Sequence, residues 1–137
     1  MFSILKKKQQ GRKVDAKKLE IYNRIVDELT IAFNLIIDED RWCQRAMCKD
    51  EAGEQLFYPG DDKAKKWCLL GAIHKGECSH ETLTFLRNCG RLAGIEDLIK
   101  FNDASSHTDV IAFMIAVMKR LGVKLMFFDK EGKEIKV

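Results

Sequence analysis

The first third of the chain carries one long run of helical periodicity. Apolar residues recur three and four positions apart between residues 19 and 36, which is the spacing of one face of an α-helix. Asp15 precedes this run, and aspartate is a good N-cap because its carboxylate accepts hydrogen bonds from the free N–H groups of a first helical turn. The pattern predicts a helix from Asp15 to about Asp38. Its inward face would comprise Leu19, Tyr22, Ile25, Val26, Leu29, Ala32, Phe33 and Ile36.

Two later segments have turn signatures in place of a helical stripe. Residues 42–58 contain the run DEAG at 50–53, and residues 123–137 contain the run DKEG at 129–132. A type I turn followed by a left-handed glycine commonly closes a β-hairpin. Because a lone hairpin is only marginally stable, we expect the two hairpins to pair in one small sheet, with residues 1–5 as a further strand.

Three more helices are predicted between the hairpins. The first covers 61–75, after the Pro59-Gly60 turn, and the second covers 79–94 with Ser79 as its N-cap. The third opens at Ser106, and its segment 110–118 is apolar almost all round, so we expect it to lie in the middle of the domain. In the second helix the inward residues would be Leu83, Leu86, Cys89 and Leu92.

These elements predict the fold class and the organisation of the chain. The class is α+β: a compact bundle of about four helices around a central apolar helix at about 107–121, with a small antiparallel sheet from two β-hairpins. Residues 1–13 would form a basic N-terminal arm. Residues 14–122 would form a helical domain with the inserted hairpin 42–58, and residues 123–137 the C-terminal hairpin.

Positive charge is concentrated at the start of the chain. The formal net charge is +3, while the arm carries Lys6, Lys7, Lys8, Arg12 and Lys13. Such an arm would bind a nucleic-acid backbone by releasing counterions. A short lysine-rich end is more often a solvated terminus, and no basic stripe interleaved with aromatics continues into the body. Nucleic-acid contact is therefore an alternative, not the main hypothesis.

Apolar runs and cysteines bear on the compartment. The longest apolar run, 110–118, is about half the length that a membrane span needs, and the N-terminus lacks the pattern of a secretory signal. The five cysteines are an odd number, which favours thiols over disulfides. We expect a cytoplasmic protein without membrane contact.

A set of short motifs between residues 42 and 118 resembles a known family. The chain has Trp42, then AKKWCLLGAI at 64–73, then FND at 101–103, then an apolar helix opened by HTD at 107–109. This order is similar to a small uncharacterised domain family found in bacteria and their phages. The resemblance marks residues without giving them roles, because it implies no activity. The residues it marks are Trp42, Cys68, Gly71, Ala72, Asn102 and Asp103.

The stretch KKWCLLGAIHKGECSH, residues 65–80, has the side chains of a zinc site but not the spacing. Cys68, His74, Cys78 and His80 are the types that zinc prefers. On a helix, however, Cys68 and His74 would lie about 120° apart around the axis and about 9 Å apart along it. We therefore predict neither a metal site nor a cofactor.

Cys68 has two interpretations. With His107 and Asp103 or Asn102 it makes up the inventory of a cysteine enzyme, although a position some six residues inside a helix lies beyond the turn where the helix dipole lowers a thiol pKa. The enzyme hypothesis is favoured only if the helix begins near Lys66, because Cys68 would then lie in its first turn. The interpretation we favour is packing, with Ala64, Cys68, Gly71 and Ala72 as a small-residue helix face against the 110–118 helix.

The pair Asn102-Asp103 also has two interpretations. Short polar side chains after an apolar segment often form a local Asx-turn or helix cap, which we expect here. In the alternative, Asn102, Asp103 and His107 meet Trp42 in a polar pocket that binds a small ligand.

The function we predict is non-enzymatic. The sequence has no phosphate loop, nucleophile elbow or strong metal spacing. We expect a small binding or regulatory protein, phage or mobile-element encoded, that contacts another protein or a second copy of itself. Met126, Phe127 and Phe128 would supply the contact, since an alternating strand at a sheet edge cannot turn all three inward. The alternatives are an enzyme or ligand binder around Cys68, Asn102, Asp103 and His107, and nucleic-acid contact through the arm.

Overall fold

The computed structural model describes the backbone of residues 3–7, and both backbone and side chains of residues 15–129 and 131–135. Its helices are α1 (Ala16–Ile36), α2 (Leu69–Lys75), α3 (His80–Leu92), α4 (Leu98–Ala104) and α5 (His107–Arg120), with one 3-10 turn at Glu39–Arg41. Its strands are β1 (Ser3–Lys7), β2 (Cys48–Lys49), β3 (Gln55–Leu56), β4 (Lys66–Trp67), β5 (Lys124–Phe128) and β6 (Glu134–Ile135). The α+β class is confirmed, with five α-helices in the described residues where about four are predicted.

Helix α1 matches its prediction except at Leu19, which is expected to point inward but is exposed, and it is the most widely contacted helix. The Asp15 carboxylate caps it by accepting a hydrogen bond from the Lys17 N–H at 2.8 Å. Its buried face packs against α2, α3 and α5, whereas α5 leaves Ala112 and Ala116 exposed. The core thus lies around α1 instead of around the apolar 107–121 helix. The buried residues of α1 are Ile25, Val26, Leu29, Ala32, Phe33 and Ile36.

The two predicted hairpins lie in separate sheets. One sheet has the order β1-β5-β6 and the other the order β3-β2-β4, and all of their strand pairs are antiparallel. The predicted turns are present, with Gly53 and Gly132 at positive φ. The expectation of one shared sheet is therefore wrong, while the expected strand near the N-terminus is β1. Lys6 and Lys7 belong to β1; Lys8, Arg12 and Lys13 lie outside the described residues, and the division of the chain into three segments stays a prediction.

The predicted helix at 61–75 is helical only in its second half. Its first part forms a turn and then β4, and only Leu69–Lys75 is helical. The extended backbone is satisfied across the sheet, because the Lys65 N–H donates to the Lys49 carbonyl and the Cys68 N–H donates to the Met47 carbonyl. Pairing with β2 outweighs the local helical pattern.

The small-residue face is also rearranged. Ala64, Cys68, Gly71 and Ala72 are all buried, but the first two precede the helix. A Cβ built at Gly71 would lie 1.9 Å from the Met47 carbonyl oxygen. The small residues therefore admit the backbone before β2, not the α5 helix.

The ends of α3 and α5 follow the predicted caps except at Ser79, and one residue predicted to be buried on α3 is exposed. Ser106 caps α5, since its Oγ accepts from the Asp109 N–H at 3.1 Å, and Gly94 at positive φ follows α3. The Ser79 hydroxyl makes no cap bond and instead meets Glu28 of α1. Leu92, expected to point inward, is 68% exposed.

Candidate functional site

Asn102 is the centre of a buried hydrogen-bond cluster. Its side chain is 0% exposed. Its Oδ1 accepts from the Trp42 Nε1–H at 2.7 Å and from the Leu69 N–H at 3.0 Å. Its Nδ2 donates to the Cys43 carbonyl at 3.1 Å and to Asp103 Oδ1 at 3.2 Å. Both acceptor positions and both amide hydrogens of the asparagine are thereby used.

Residues 44 and 45 close the same cluster from the outside. Gln44 Nε2 lies 3.1, 3.2 and 2.7 Å from the carbonyl oxygens of Asn102, Asp103 and Ser105, which are carbonyls that the end of α4 leaves without helical partners. The Arg45 N–H donates to Asp103 Oδ1 at 2.8 Å, from a backbone with a φ of 64°. These contacts join segments about sixty residues apart, so the expected local cap at Asn102-Asp103 is wrong.

His107 borders the cluster at the start of α5. Its Nε2 lies 2.7 Å from the Ile36 carbonyl oxygen, and because a carbonyl only accepts, Nε2 carries the hydrogen in this contact. Its ring centroid lies 5.4 Å from that of Trp42, with the planes tilted by 52°. Trp42, Asn102, Asp103 and His107 are therefore brought together as the pocket alternative expected, but Asn102 binds Trp42 and Asp103, and His107 Nε2 binds the Ile36 carbonyl.

Cys68 is the N-cap of α2, which corrects its predicted place inside a helix. Its Sγ accepts from the Gly71 N–H at 3.2 Å, and the neighbouring Leu69 N–H binds Asn102. Burial raises the pKa of the Cys68 thiol; hydrogen bonds from Gly71 and Leu70 act in the opposite direction, and the Asp103 carboxylate adds to the rise. The thiol is held protonated near neutral pH, whereas a cysteine nucleophile needs the thiolate.

The other cysteines are likewise held as thiols. All five are free, and burial raises the pKa of Cys43 to about 12 and that of Cys78 to about 11. Within the described part of the chain, no group of three or more His, Cys, Asp or Glu side chains is arranged to hold a metal ion. In the same part, no helix has the length and apolar character to cross a membrane.

The segment that contains this cluster matches a protein family. The profile of a family of unknown function (DUF6197) matches residues 23–120. The chain belongs to this family. No curated protein and no solved structure matches the chain significantly. The matched segment contains all of the clustered residues, and the uncharacterised family expected from the motifs is confirmed.

The expected contact residues of the tail lie beyond the family segment. Met126, Phe127 and Phe128 belong to β5, which is the middle strand between β1 and β6, so the premise of an exposed edge is wrong. All three side chains are half-buried, and Phe127 packs against the core. A role for them in binding a partner stays a prediction.

A different exposed patch lies inside the family segment. Phe57 is 93% exposed and Tyr58 is 64% exposed, directly after β3 at the edge of its sheet. This pair is not among the contact residues predicted from the sequence. The run FYPG at 57–60 could have indicated this pair. Two consecutive aromatic residues between a strand and a Pro-Gly turn cannot both point to the buried face of a sheet.

Proposed function

We propose that this protein is a small non-enzymatic protein-binding module that engages an acidic segment of a partner protein. The binding surface, called here the aromatic-basic face, comprises Lys49, Gln55, Phe57, Tyr58 and Lys66. The single observation that carries the proposal is the nearly complete exposure of Phe57, which lies two residues after Gln55, the cross-strand partner of Lys49.

The loop that presents the aromatics is fixed by hydrogen bonds. The Trp67 Nε1–H donates to the Pro59 carbonyl at 3.0 Å, and the Asp61 N–H donates to the Tyr58 carbonyl at 2.9 Å. A preorganised loop loses little conformational entropy on binding. Burying a phenylalanine side chain contributes about 2 kcal/mol, so Phe57 is suited to anchor a contact.

The strand register gives the face its charge. Lys49 lies opposite Lys66 of β4 and opposite Gln55 of β3, and cross-strand partners share a sheet face. The next row along the sheet, Cys48 and Trp67, is buried. Within residues 15–129 and 131–135, neither lysine has an ion pair. Two like charges directly opposite each other are unfavourable, and a partner carboxylate would offset them.

The edge of β3 offers a way for an extended segment to bind. In the described part of the sheet, β3 has a neighbour only on its β2 side, so alternate backbone groups on the other side are open to a further strand. An added strand supplies main-chain hydrogen bonds while its side chains choose the surface pockets. A segment with an acidic and an apolar residue two positions apart would present both on one face of the sheet, as binding to both Lys49 and Phe57 requires.

The compartment, the origin and the absence of enzymatic activity that we expect from the sequence are also part of this proposal. The free cysteines favour a reducing compartment, and we place the protein in the cytoplasm. The resemblance noted from the motifs favours a bacterial or phage origin. The absence of enzymatic activity is favoured by internal contacts at Cys68 Sγ, Asp103 Oδ1 and His107 Nε2.

The test starts from a library of displayed random peptides selected on the folded protein. Enriched peptides are then titrated against Phe57→Ser and Lys49→Glu, with the exposed positions Leu92→Ser and Lys18→Glu as matched controls. We expect enrichment of acidic-apolar peptides, a loss of affinity of about tenfold or more in the two test variants, and no change in the controls. Enrichment of peptides without acidic residues, equal affinity in Phe57→Ser, or Phe57-dependent binding of an oligothymidine strand instead of peptides would overturn the proposal.

A further inference from the structure

A cleft of about 380 Å³ lies between α3 and the segment that joins it to α4. This volume falls within the range of small-molecule sites. Its apolar lining includes Leu70 and Leu98, which are buried, and Ile95, which is half-buried. Of the residues that line the cleft, none belongs to the Asn102 cluster or to the aromatic-basic face.

One wall of the cleft carries two arginines. Arg87 and Arg91 are four residues apart on α3, so they project from the same side of the helix, where like charges repel. Arg91 Nη1 donates to the neutral side chain of Asn88 at 3.1 Å. In the part of the chain that the structure describes, neither guanidinium is paired with a carboxylate. Guanidinium groups favour planar carboxylate ligands because two parallel N–H groups match two oxygens.

Two carboxylates also line the cleft. Glu96 is exposed, and Asp97 Oδ1 accepts from the Ile99 and Lys100 N–H groups at 2.9 and 3.1 Å. Glu96 and Asp97 line the same cleft as the arginines, but none of the carboxylate–guanidinium pairs across it comes within ion-pair distance. Positive, negative and apolar side chains therefore line one cleft, and among these lining residues the opposite charges are not within ion-pair distance of one another.

We infer that the cleft binds a small zwitterion with an apolar body, namely an apolar amino acid or a short apolar peptide with free ends. Its carboxylate would lie against Arg87 and Arg91. Its ammonium group would lie on the side of Glu96, and its apolar side chain would contact Leu70 and Leu98. Such a ligand would place a carboxylate beside the arginine pair, where like charges repel, and an ammonium group beside Glu96.

Calorimetric titration with the dipeptide Leu-Leu tests the inference. The same titration uses N-acetyl-Leu-Leu, which lacks the ammonium group, and Leu-Leu-amide, which lacks the carboxylate. The variants are the double substitution Arg87→Gln with Arg91→Gln, and Glu96→Gln; Arg41→Gln serves as the control because Arg41 is exposed and distant in sequence from the cleft. Circular dichroism confirms that each variant is folded.

We expect saturable binding of Leu-Leu that weakens about tenfold or more in the arginine variant and with the amide. Glu96→Gln and N-acetylation should each weaken binding, and Arg41→Gln and Phe57→Ser should not. Absence of saturable binding by Leu-Leu, equal binding of the amide, or equal binding by the arginine variant would overturn the inference. Because Phe57 is not in the cleft, failure here and failure of the proposed protein contact are separate results.

Discussion

The Trp42 Nε1–H donates to Asn102 Oδ1 at 2.7 Å, across sixty positions of sequence. This bond joins the segment after α1 to α4, and the same oxygen also holds the first N–H of α2. A single buried amide thus fixes three elements against one another. Hydrogen bonding to Asn102 explains why Trp42 and Asp103, which stand out in the sequence, lie together.

The first prediction concerns the buried amide itself. Asn102→Ala leaves the Trp42 Nε1–H, the Leu69 N–H and the Cys43 carbonyl without their partner. Each unsatisfied buried group costs about 1–3 kcal/mol, so we expect the free energy of unfolding to fall by roughly 4 kcal/mol. Urea unfolding followed by tryptophan fluorescence measures it. The control Asn88→Ala, at an exposed site, should change stability by less than about 0.5 kcal/mol. Similar losses in both variants would contradict a central role for Asn102.

The second prediction tests the close approach at Gly71. Gly71→Ala places a Cβ against the Met47 carbonyl oxygen, 1.9 Å away, and should cost about 3 kcal/mol because backbone must move. Gly76→Ala is the matched control: its φ is −77° and its Cβ would meet neighbours at ordinary distances of 3.5 Å or more. We expect it to be neutral or stabilising by up to about 1 kcal/mol. Thermal unfolding of the two variants measures the difference in stability. A Gly71→Ala variant as stable as the wild type would refute the close approach of Gly71 to the Met47 carbonyl.

The third prediction concerns the link from α1 to the start of α3. Glu28 Oε1 accepts from the Ser79 N–H at 2.8 Å, from Ser79 Oγ at 2.7 Å and from Thr82 Oγ1 at 2.6 Å. Burial acts to raise the pKa of Glu28, but these hydrogen bonds and the charge of Arg24 outweigh it, so its pKa is lowered. We expect Glu28→Gln to lose about 1–2 kcal/mol near neutral pH.

The sign of the pH dependence follows from that shift. A carboxyl whose pKa is lowered by folding contributes stability above its unfolded pKa of about 4.3, and this contribution is lost as the pH falls through the folded pKa. The stability difference between the wild type and Glu28→Gln should therefore shrink in acid. Glu20→Gln, at an exposed position on the same helix, should match the wild type throughout. A difference that persists unchanged in acid would count against the charged form of Glu28.

The fourth prediction concerns alkaline pH. Burial raises the pKa of Cys43 to about 12, whereas an unfolded thiol ionises at about 8.5. Above the unfolded value the unfolded chain loses a proton that the native protein retains, so stability falls between about pH 8.5 and about pH 12. Urea unfolding at several pH values in this window should give a shallower fall for Cys43→Ala than for the wild type. Parallel slopes would show that Cys43 does not contribute.

The sequence predicts those parts of the fold that local signals determine. The α1 and α5 helices are recognisable because their apolar spacing and the caps at Asp15 and Ser106 lie within each element. Strand β4 is not recognisable, because Lys66–Trp67 is extended only through pairing with β2. A two-residue strand carries too few positions for alternation to outweigh the helical pattern around it.

The candidate site is predictable only in part, for a similar reason. Trp42, Asn102, Asp103 and His107 can be named together from the motifs, yet a polar residue near a helix end looks the same whether it caps locally or binds a distant segment. The distant partners of the Asn102 side chain lie at residues 42, 43 and 69, and no local pattern encodes them. The exposure of Phe57 depends likewise on β3 lying at a sheet edge.

Amide NMR of the labelled protein titrated with an acidic-apolar peptide is the most direct test of where the partner binds, because it reports on the aromatic-basic face and the Asn102 cluster together. We expect shift changes at Lys49, Gln55, Phe57 and Lys66, with the Trp42 indole N–H signal unmoved. Shift changes centred on Trp42, Asn102 and His107, with Lys49 and Phe57 unmoved, would contradict it and make the buried cluster the binding site.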